Sequence, residues 1–401
     1  AENKDKKVLN VPNLRFPEFE GEWEECKLGD VAMVVGGGTP DTNNHKYWNG
    51  DIQWFTPSEI GRDKYVTNSL RTISEEGLNK SSAKLLPIGT ILLSSRATVG
   101  ECSINKVECT TNQGFQSLIP KEYFSKEFVF YLMQTKRKEL IRKSCGSTFL
   151  EISANEVRKI KIAVPTSKEQ EKISKLLALL DERISTQNKI IEDLKKLKSA
   201  ISKYLFERKD LFENKIKLSK VAELKNGYAF QSSKYNALGK WKILTIANVA
   251  GERYVKTNEC NSIIEIPYDI QKHQKLEAND ILISLTGNVG RVSLCTEGLF
   301  LLNQRVGLLQ LKVSEDREFI YQVLSFHKFE ESMIACAQGA AQMNIGKGDV
   351  ENYILPYSFN KENINSVASV LKNYDKYIIN EINMLSMLHS QKQYLLRQMF
   401  I

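Results

Sequence analysis

Two stretches of the chain repeat apolar residues at alternating four- and three-residue intervals. The first runs Ile173, Leu177, Leu180, Ile184, Gln187, Ile191, Leu194, Lys198, Ile201 and Leu205. Shifted by 194 residues, the pattern returns as Val367, Leu371, Tyr374, Ile378, Glu381, Leu385, Leu388, Lys392, Leu395 and Met399. This spacing predicts two long helices carrying coiled-coil seams. Some forty helical residues span about 60 Å, too far for a small domain to cover the stripe, so the two stripes are expected to bury each other. Both seams are polar at matching places, Gln187 with Glu381 and Lys198 with Lys392. Such residues either fix register or reach out at the edge of the seam. Ser167 followed by Gln170 has the spacing of a capping box at the start of the first helix.

The repetition extends over the whole chain. Lys27-Leu28 with Val31-Ala32 returns as Lys217-Leu218 with Val221-Ala222, and Ile91-Leu92-Leu93-Ser94 returns as Ile281-Leu282-Ile283-Ser284. Val99-Gly100 matches Val289-Gly290, Asn112-Gln113 matches Asn303-Gln304, and Glu127-Phe128 matches Glu318-Phe319. An ordered series with so long a period marks a duplicated domain rather than a solenoid. Each copy opens with a mixed region rich in Gly, Thr, Asn and Tyr, in which Thr90 to Ser95 and Asp280 to Leu285 read as buried strands. An amphipathic helix follows, around Lys126 to Lys143 and Arg317 to Ala337, then a short strand ending in Pro and the long helix. The expected fold is α+β. Two mixed α/β domains, residues 1–165 and 210–357, are separated by long coiled-coil helices at 166–209 and 358–401. A two-fold relation between the copies would make those helices antiparallel.

A chain of 401 residues suits two or three domains rather than one core. With 42% hydrophobic and 26% charged residues it is neither disordered nor collagen-like. A net charge of +8 permits a polyanionic partner without requiring one. The longest aliphatic run, Leu176 to Leu180, is far too short for a bilayer, and no apolar signal core follows Lys4 to Lys7, so a cytoplasmic location is expected. The seven cysteines include no CxxC pair and read as small buried hydrophobes rather than disulfides or zinc ligands.

Catalytic signatures are missing from the sequence. None of His45, His273, His327 and His389 sits in a metal-binding spacing, and no G-x-S-x-G elbow occurs. Gly339 to Lys347 has the wrong spacing for a phosphate loop, with Gly348 where Ser or Thr should hold magnesium. Gly36 to Gly38 lead into Thr39-Pro40, a turn rather than a helix start.

Two domains without a nucleophile or cofactor loop suggest a pair of binding modules, and their loops carry residue types that contact DNA. The candidates in the first copy are Thr39, Lys46, Thr56, Ser58, Arg62, Lys64, Arg96, Thr98, Gln113, Ser147 and Thr148. In the second they are Tyr228, Lys234, Thr245, Asn248, Thr286, Asn288, Arg291, Gln304, Arg305, Gln342 and Asn344. Trp48 and Trp54 read as packed rather than stacked on bases. Residues shared by both copies, such as Asn112-Gln113, are expected to be structural or to hold phosphate. Base reading belongs where the copies differ, at 46–64 against 234–254 and at 149–152 against 342–345.

This pattern resembles the specificity (S) subunit of Type I restriction–modification systems. The likeness rests on Leu28-Gly29-Asp30-Val31, Gly37-Gly38-Thr39-Pro40, Trp54, Thr90-Ile91-Leu92, Thr98-Val99-Gly100, Asn112-Gln113, Gly146-Ser147-Thr148 and Val164-Pro165 leading to Glu169-Gln170. Pro12 to Pro17 with Trp23 adds to it. The second copy departs in having Asn226-Gly227-Tyr228 for the Gly-Gly-Thr turn, and no Glu-Gln pair after Pro356. The resemblance implies that each mixed domain reads one half of a split DNA target. It implies that the paired helices set the gap, and that they dock two modification (M) subunits, which bind S-adenosylmethionine and methylate adenine. Restriction (R) subunits using ATP and Mg complete the complex, and this chain supplies no catalytic residue or cofactor. The spacer and platform role falls to Ile173, Leu177, Leu180, Ile184, Ile191, Leu194, Ile201, Leu205, Val367, Leu371, Ile378, Leu385, Leu388 and Leu395. The competing expectations are a self-contained methyltransferase or nuclease, and a coiled-coil scaffold that does not bind nucleic acid.

Overall fold

Both heptad stretches are single helices in the computed structural model, Ser167–Phe206 and Lys361–Gln398, within described residues 10–146, 150–338 and 343–401. The chain divides into two compact units, Ala1–Thr186 with Leu385–Ile401, and Gln187–Met384. Each unit therefore combines one mixed domain with a stretch of both long helices.

In the first unit a five-stranded sheet runs in the order Ala32–Gly36, Gln116–Pro120, Ile91–Leu93, Cys102–Asn105, Tyr65–Val66. Ile91–Leu93 is wholly buried, as an apolar run bounded by polar and turn residues predicts. Helix Lys126–Lys143 buries Phe128 to Met133 in the same core. A smaller sheet has Trp48–Phe55 at its centre, parallel to Cys109–Thr111 and antiparallel to Arg71–Ile73. Ile173 and Leu177 of the first long helix enter the main core beside Leu396, Met399 and Phe400 of the second helix and the residues after it. Leu180 and Ile184 then meet Leu388. Numbers rise on one helix as they fall on the other, so the helices are antiparallel within this unit.

The second unit repeats the plan. Its main sheet runs Ala222–Asn226, Val306–Leu311, Ile281–Ser284, Val292–Leu294. In its smaller sheet Trp241–Leu244 lies parallel to Phe300–Leu302. Ile201 and Leu205 pack on the core that holds Ile364, Val367 and Leu371, again antiparallel. Each fully buried aliphatic side chain in these seams stabilises its unit by about 1.5–3 kcal/mol.

The polar seam residues are all paired. Gln187 donates to the Glu381 carboxylate and, at 3.1 Å, to the Glu381 carbonyl. Lys198 reaches Asp375 at 2.6 Å in the second unit, and Lys392 reaches Asp181 at 2.7 Å in the first. The lysines are directional ties between helices rather than side chains escaping to water.

Three expectations are corrected. The helix expected over 317–337 is two, Arg317–Leu324 and His327–Ala337, because Phe326 turns extended and sets its ring 5.8 Å from that of Phe206. The capping box at Ser167 does not form. Ser167 donates to the Tyr123 carbonyl, while the Gln170 amide bridges the Pro165 carbonyl and the Ser125 N–H. Cys145 and Cys336 are exposed, Cys26 and Cys260 half-buried, and only Cys102, Cys109 and Cys295 are buried. Burial pushes these last three thiols up to about 12, so they are poor nucleophiles.

The opening segment has a clear purpose in the first unit. Arg15 makes a two-pronged pair with the buried Glu169 carboxylate, both contacts at 2.8 Å, and Trp23 Nε1 donates to the same group at 3.3 Å. No helix among the described residues is long and apolar enough to cross a membrane.

Candidate nucleic-acid interface

The shared residues build a common loop frame in each mixed domain. Asn112 folds its side-chain oxygen back onto the Gly114 N–H at 2.9 Å, and Asn303 does the same to the Arg305 N–H at 3.1 Å. Opposite this turn, Gly38 N–H donates to the Thr111 carbonyl, and Tyr228 N–H donates to the equivalent Leu302 carbonyl, both at 2.8 Å. The turn sequences differ, yet the backbone contact is the same. It depends on the preceding glycine. A Cβ on Gly37 would lie 2.0 Å from the Asn112 carbonyl oxygen, and one on Gly227 2.1 Å from that of Asn303. Gly37→Ala or Gly227→Ala should therefore lower stability in urea unfolding by about 1–3 kcal/mol. Gly348→Ala, where a Cβ meets nothing within 4 Å, should not.

Around this frame the candidate residues divide into two sets. Lys46, Ser58, Arg62, Thr98 and Gln113 are exposed in the first unit, as are Lys234, Asn288, Gln304, Arg305 and Asn344 in the second. The side chains of Lys46, Arg62, Lys234 and Arg305 meet no carboxylate among the described residues. Gln113 accepts from Thr39 at 2.5 Å, and Gln304 accepts from Asn303 at 3.1 Å. Tyr228 is half-buried and donates to Asp269 at 2.9 Å.

The other set is tied by contacts within its own unit. Asn248 is 3% exposed, its oxygen taken by Thr245 and its nitrogen donated to the Lys256 carbonyl. Thr56 caps a short turn through Glu59 at 2.6 Å. Arg291 lies 3.3 Å from Glu330, and the first unit makes the same bridge with its charges exchanged, Glu101 to Arg137 at 2.8 Å. Lys64 is turned inward onto Tyr131 at 3.0 Å, and burial lowers its pKa. Ser147, Thr148 and Gln342 lie outside the described residues.

One pair of equivalent positions stays at the surface and differs between copies. Arg96 lies across an isolated bridge from Glu151, its Nε 2.8 Å from the carboxylate in an ion pair that is not aligned as a hydrogen bond. Thr286 lies across the matching bridge from Asn344 and donates to its amide oxygen at 3.1 Å. The sequence does not single out Glu151, although residues 149–152 differ from 342–345 in the other copy. Nor does it single out Arg71. Its guanidinium lies 3.6 Å above the Trp48 ring, and Trp48 and Trp54 are buried edge-to-face at 5.0 Å.

Ile173, Leu177, Leu180, Ile184, Ile191, Val367, Leu371, Ile378 and Leu388 are buried in the seams, whereas Leu194, Ile201, Leu205, Leu385 and Leu395 are half-buried. The long helices expose other apolar residues. Ile190, Leu197 and Tyr204 recur every seven residues in the second unit, with Tyr377 and Met384 on the other helix. Met387 and Tyr394 repeat that interval in the first unit, with Leu179 on the other helix.

The sequence matches the profile of the Type I restriction modification DNA specificity domain over residues 20–196 and again over 212–384. It is 36% identical over 197 residues to the type I restriction enzyme MjaIX specificity subunit of Methanocaldococcus jannaschii, covering 48% of this chain and 46% of that one. In that alignment the chain thus spans about half the relative's length. Over 405 residues it is 24% identical to the MjaVIII specificity subunit of the same organism, covering 94% and 90%. The fold is shared with the S subunit of a type-I restriction-modification system from M. genitalium, at a TM-score of 0.57, 15% identity and coverage of 98% and 99%.

Proposed function

Since this chain belongs to the Type I restriction modification DNA specificity domain family, we propose that it is the sequence-reading subunit of such a complex and has no catalytic residue of its own. Each unit's mixed domain reads one half of a bipartite, asymmetric double-stranded DNA target. The long helices set the spacer, and their exposed apolar stripes dock two modification (M) subunits. Those subunits supply S-adenosylmethionine and adenine methylation, and restriction (R) subunits with ATP and Mg complete the assembly in the cytoplasm.

The observation that carries this reading is an unchanged frame with a changed rim. The Gly-against-Asn turn is the same in both units, whereas the Arg96–Glu151 pair of one becomes Thr286–Asn344 in the other. Arg suits guanine and Asn suits adenine, so two such rims select different bases from one scaffold. Exposed Lys46, Arg62, Lys234 and Arg305 supply phosphate contacts that carry no sequence information.

The test is methylation mapping in a host without background adenine methylation. Expression with the M subunit should mark one bipartite sequence, and omission of this chain should abolish it. Methylation by the chain alone would make it an enzyme. Absence of DNA binding in the presence of M subunits would leave a scaffold.

A further inference from the structure

Each unit holds a charge-bearing cluster outside the reading rim, part-buried in the first unit and largely buried in the second, and the two clusters occupy the same place. In the first unit Tyr131, on helix Lys126–Lys143, donates to Asp181 of the first long helix at 2.7 Å. Lys64, from the reader, donates to the Tyr131 hydroxyl at 3.0 Å. Lys392, from the second long helix, closes the group on the other Asp181 oxygen at 2.7 Å. In the second unit the carboxylate is Asp375. It receives Arg253 at 2.8 Å, Gln322 at 2.6 Å and Lys198 at 2.6 Å. Arg253 also forks onto Glu318 at 2.8 and 2.6 Å.

The correspondence is structural. The Lys64 carbonyl accepts from Ile104 N–H, and the Arg253 carbonyl accepts from Leu294 N–H, both at 2.7 Å at equivalent points of the two sheets. Tyr131 and Gln322 hold the same helix position, three and four residues after Phe128-Phe319 and Glu127-Glu318 respectively. Lys has become Arg and Tyr has become Gln, yet the tie from reader to domain helix to both long helices persists.

Apolar packing is non-directional, so the aliphatic seams can hold a reader against the helices without fixing its angle. Hydrogen-bonded buried charges are directional. Their best-attested use is to set register rather than to add stability. We infer that these two clusters are positioning devices, each fixing the angle of its reader on the helix pair and thereby restricting the spacer length the complex accepts. This rests on the bipartite reading proposed above. None of the cluster residues reads a base.

The test replaces the first cluster by apolar residues, Lys64→Met, Asp181→Leu and Lys392→Met, in the full chain expressed with its M subunit. Replacing all the charges of such a group together is often neutral for stability, and the Tyr131 hydroxyl left without its partners is destabilising. Methylated sites should keep both half-site sequences. Methylation at spacers one base pair longer or shorter, relative to the native spacer, should rise roughly tenfold, the factor that accompanies a loss of about 1.4 kcal/mol of preference. A folded variant that methylates the native spacing alone, or loses methylation equally at every site, overturns the inference and leaves the bipartite reading standing. A wild-type chain that marks no bipartite sequence overturns both. Should the triple variant fail to fold, Tyr131→Phe carries the test, because it removes only the hydroxyl that links Lys64 to Asp181. Unchanged spacer tolerance in that variant also overturns the inference. Lys64→Arg, which copies the second unit, should keep native spacing.

Discussion

Exchanging residues 20–165 for the same region of another family member should replace one half of the methylated sequence and leave the other half intact. Each base pair read by a bidentate contact discriminates by about 1–3 kcal/mol, so a new half-site of several base pairs separates cleanly from the old one. The joints are set by the fold. Strand Glu24–Lys27 pairs with Lys161–Val164, so both must travel together. Arg15 and Glu169 stay behind and keep their mutual grip, while the donor must supply a Trp at position 23 to complete it. The donor must also bring a cation and a donor group for Asp181, because Lys64 and Tyr131 leave with the exchanged segment. Methylome sequencing reads the outcome, and a change in both halves at once would refute independent readers.

Asp375→Ala should destabilise the second unit by about 3–5 kcal/mol, the cost of breaking a buried ion pair by removing one partner. Asp375 is 6% exposed and neutralises Lys198 while helping Glu318 hold Arg253. Without it Arg253 keeps Glu318, but Lys198 loses its hydrogen-bonded carboxylate. Burial already lowers the Lys198 pKa, and Asp375 opposes that shift, so the substitution lowers it further. A lysine with its folded pKa below the unfolded value of 10.5 binds fewer protons when folded. Stability then rises with pH through the interval between those two values. The deficit of the variant should therefore narrow as the pH rises toward 10.5 in urea titrations. A deficit independent of pH would mean that Lys198 has found another partner. Combining Asp375→Leu with Lys198→Met should recover much of the loss, since the paired lysine no longer needs a counter-ion.

The seams were legible because heptad spacing is a local property of sequence, and Ile173, Leu177, Val367 and Leu371 are all buried as their spacing requires. The duplication was legible because the loop frame depends on backbone contacts that tolerate little, such as Gly37 against Asn112. The direction of a polar side chain is not local. Lys64 and Arg62 look alike in sequence, yet one turns onto Tyr131 and the other stays exposed. Asn248 reads as a DNA contact in the sequence, but its amide closes the loop back to Lys256. The helix break at Phe326 depends on Phe206, 120 residues earlier, and no periodicity within 317–337 contains it. Asp181 and Asp375 lie beside the seam, where heptad spacing does not single them out, although the offset that aligns the two seams also aligns them.

The order of those charges is that of a self-complementary pair. In each long helix an aspartate precedes a lysine by seventeen residues, Asp181 before Lys198 and Asp375 before Lys392. Every pair joins the aspartate of one repeat to the lysine of the other. A polypeptide holding one repeat could satisfy both of its own charges by associating with an identical twin. Joining the two repeats in one chain keeps the pairs and allows the halves to differ. The tie to the reader differs, with Lys64 and Tyr131 in one repeat and Arg253 and Gln322 in the other, while the aspartate–lysine order is the same in both, so the pairing is one that two identical chains would also satisfy.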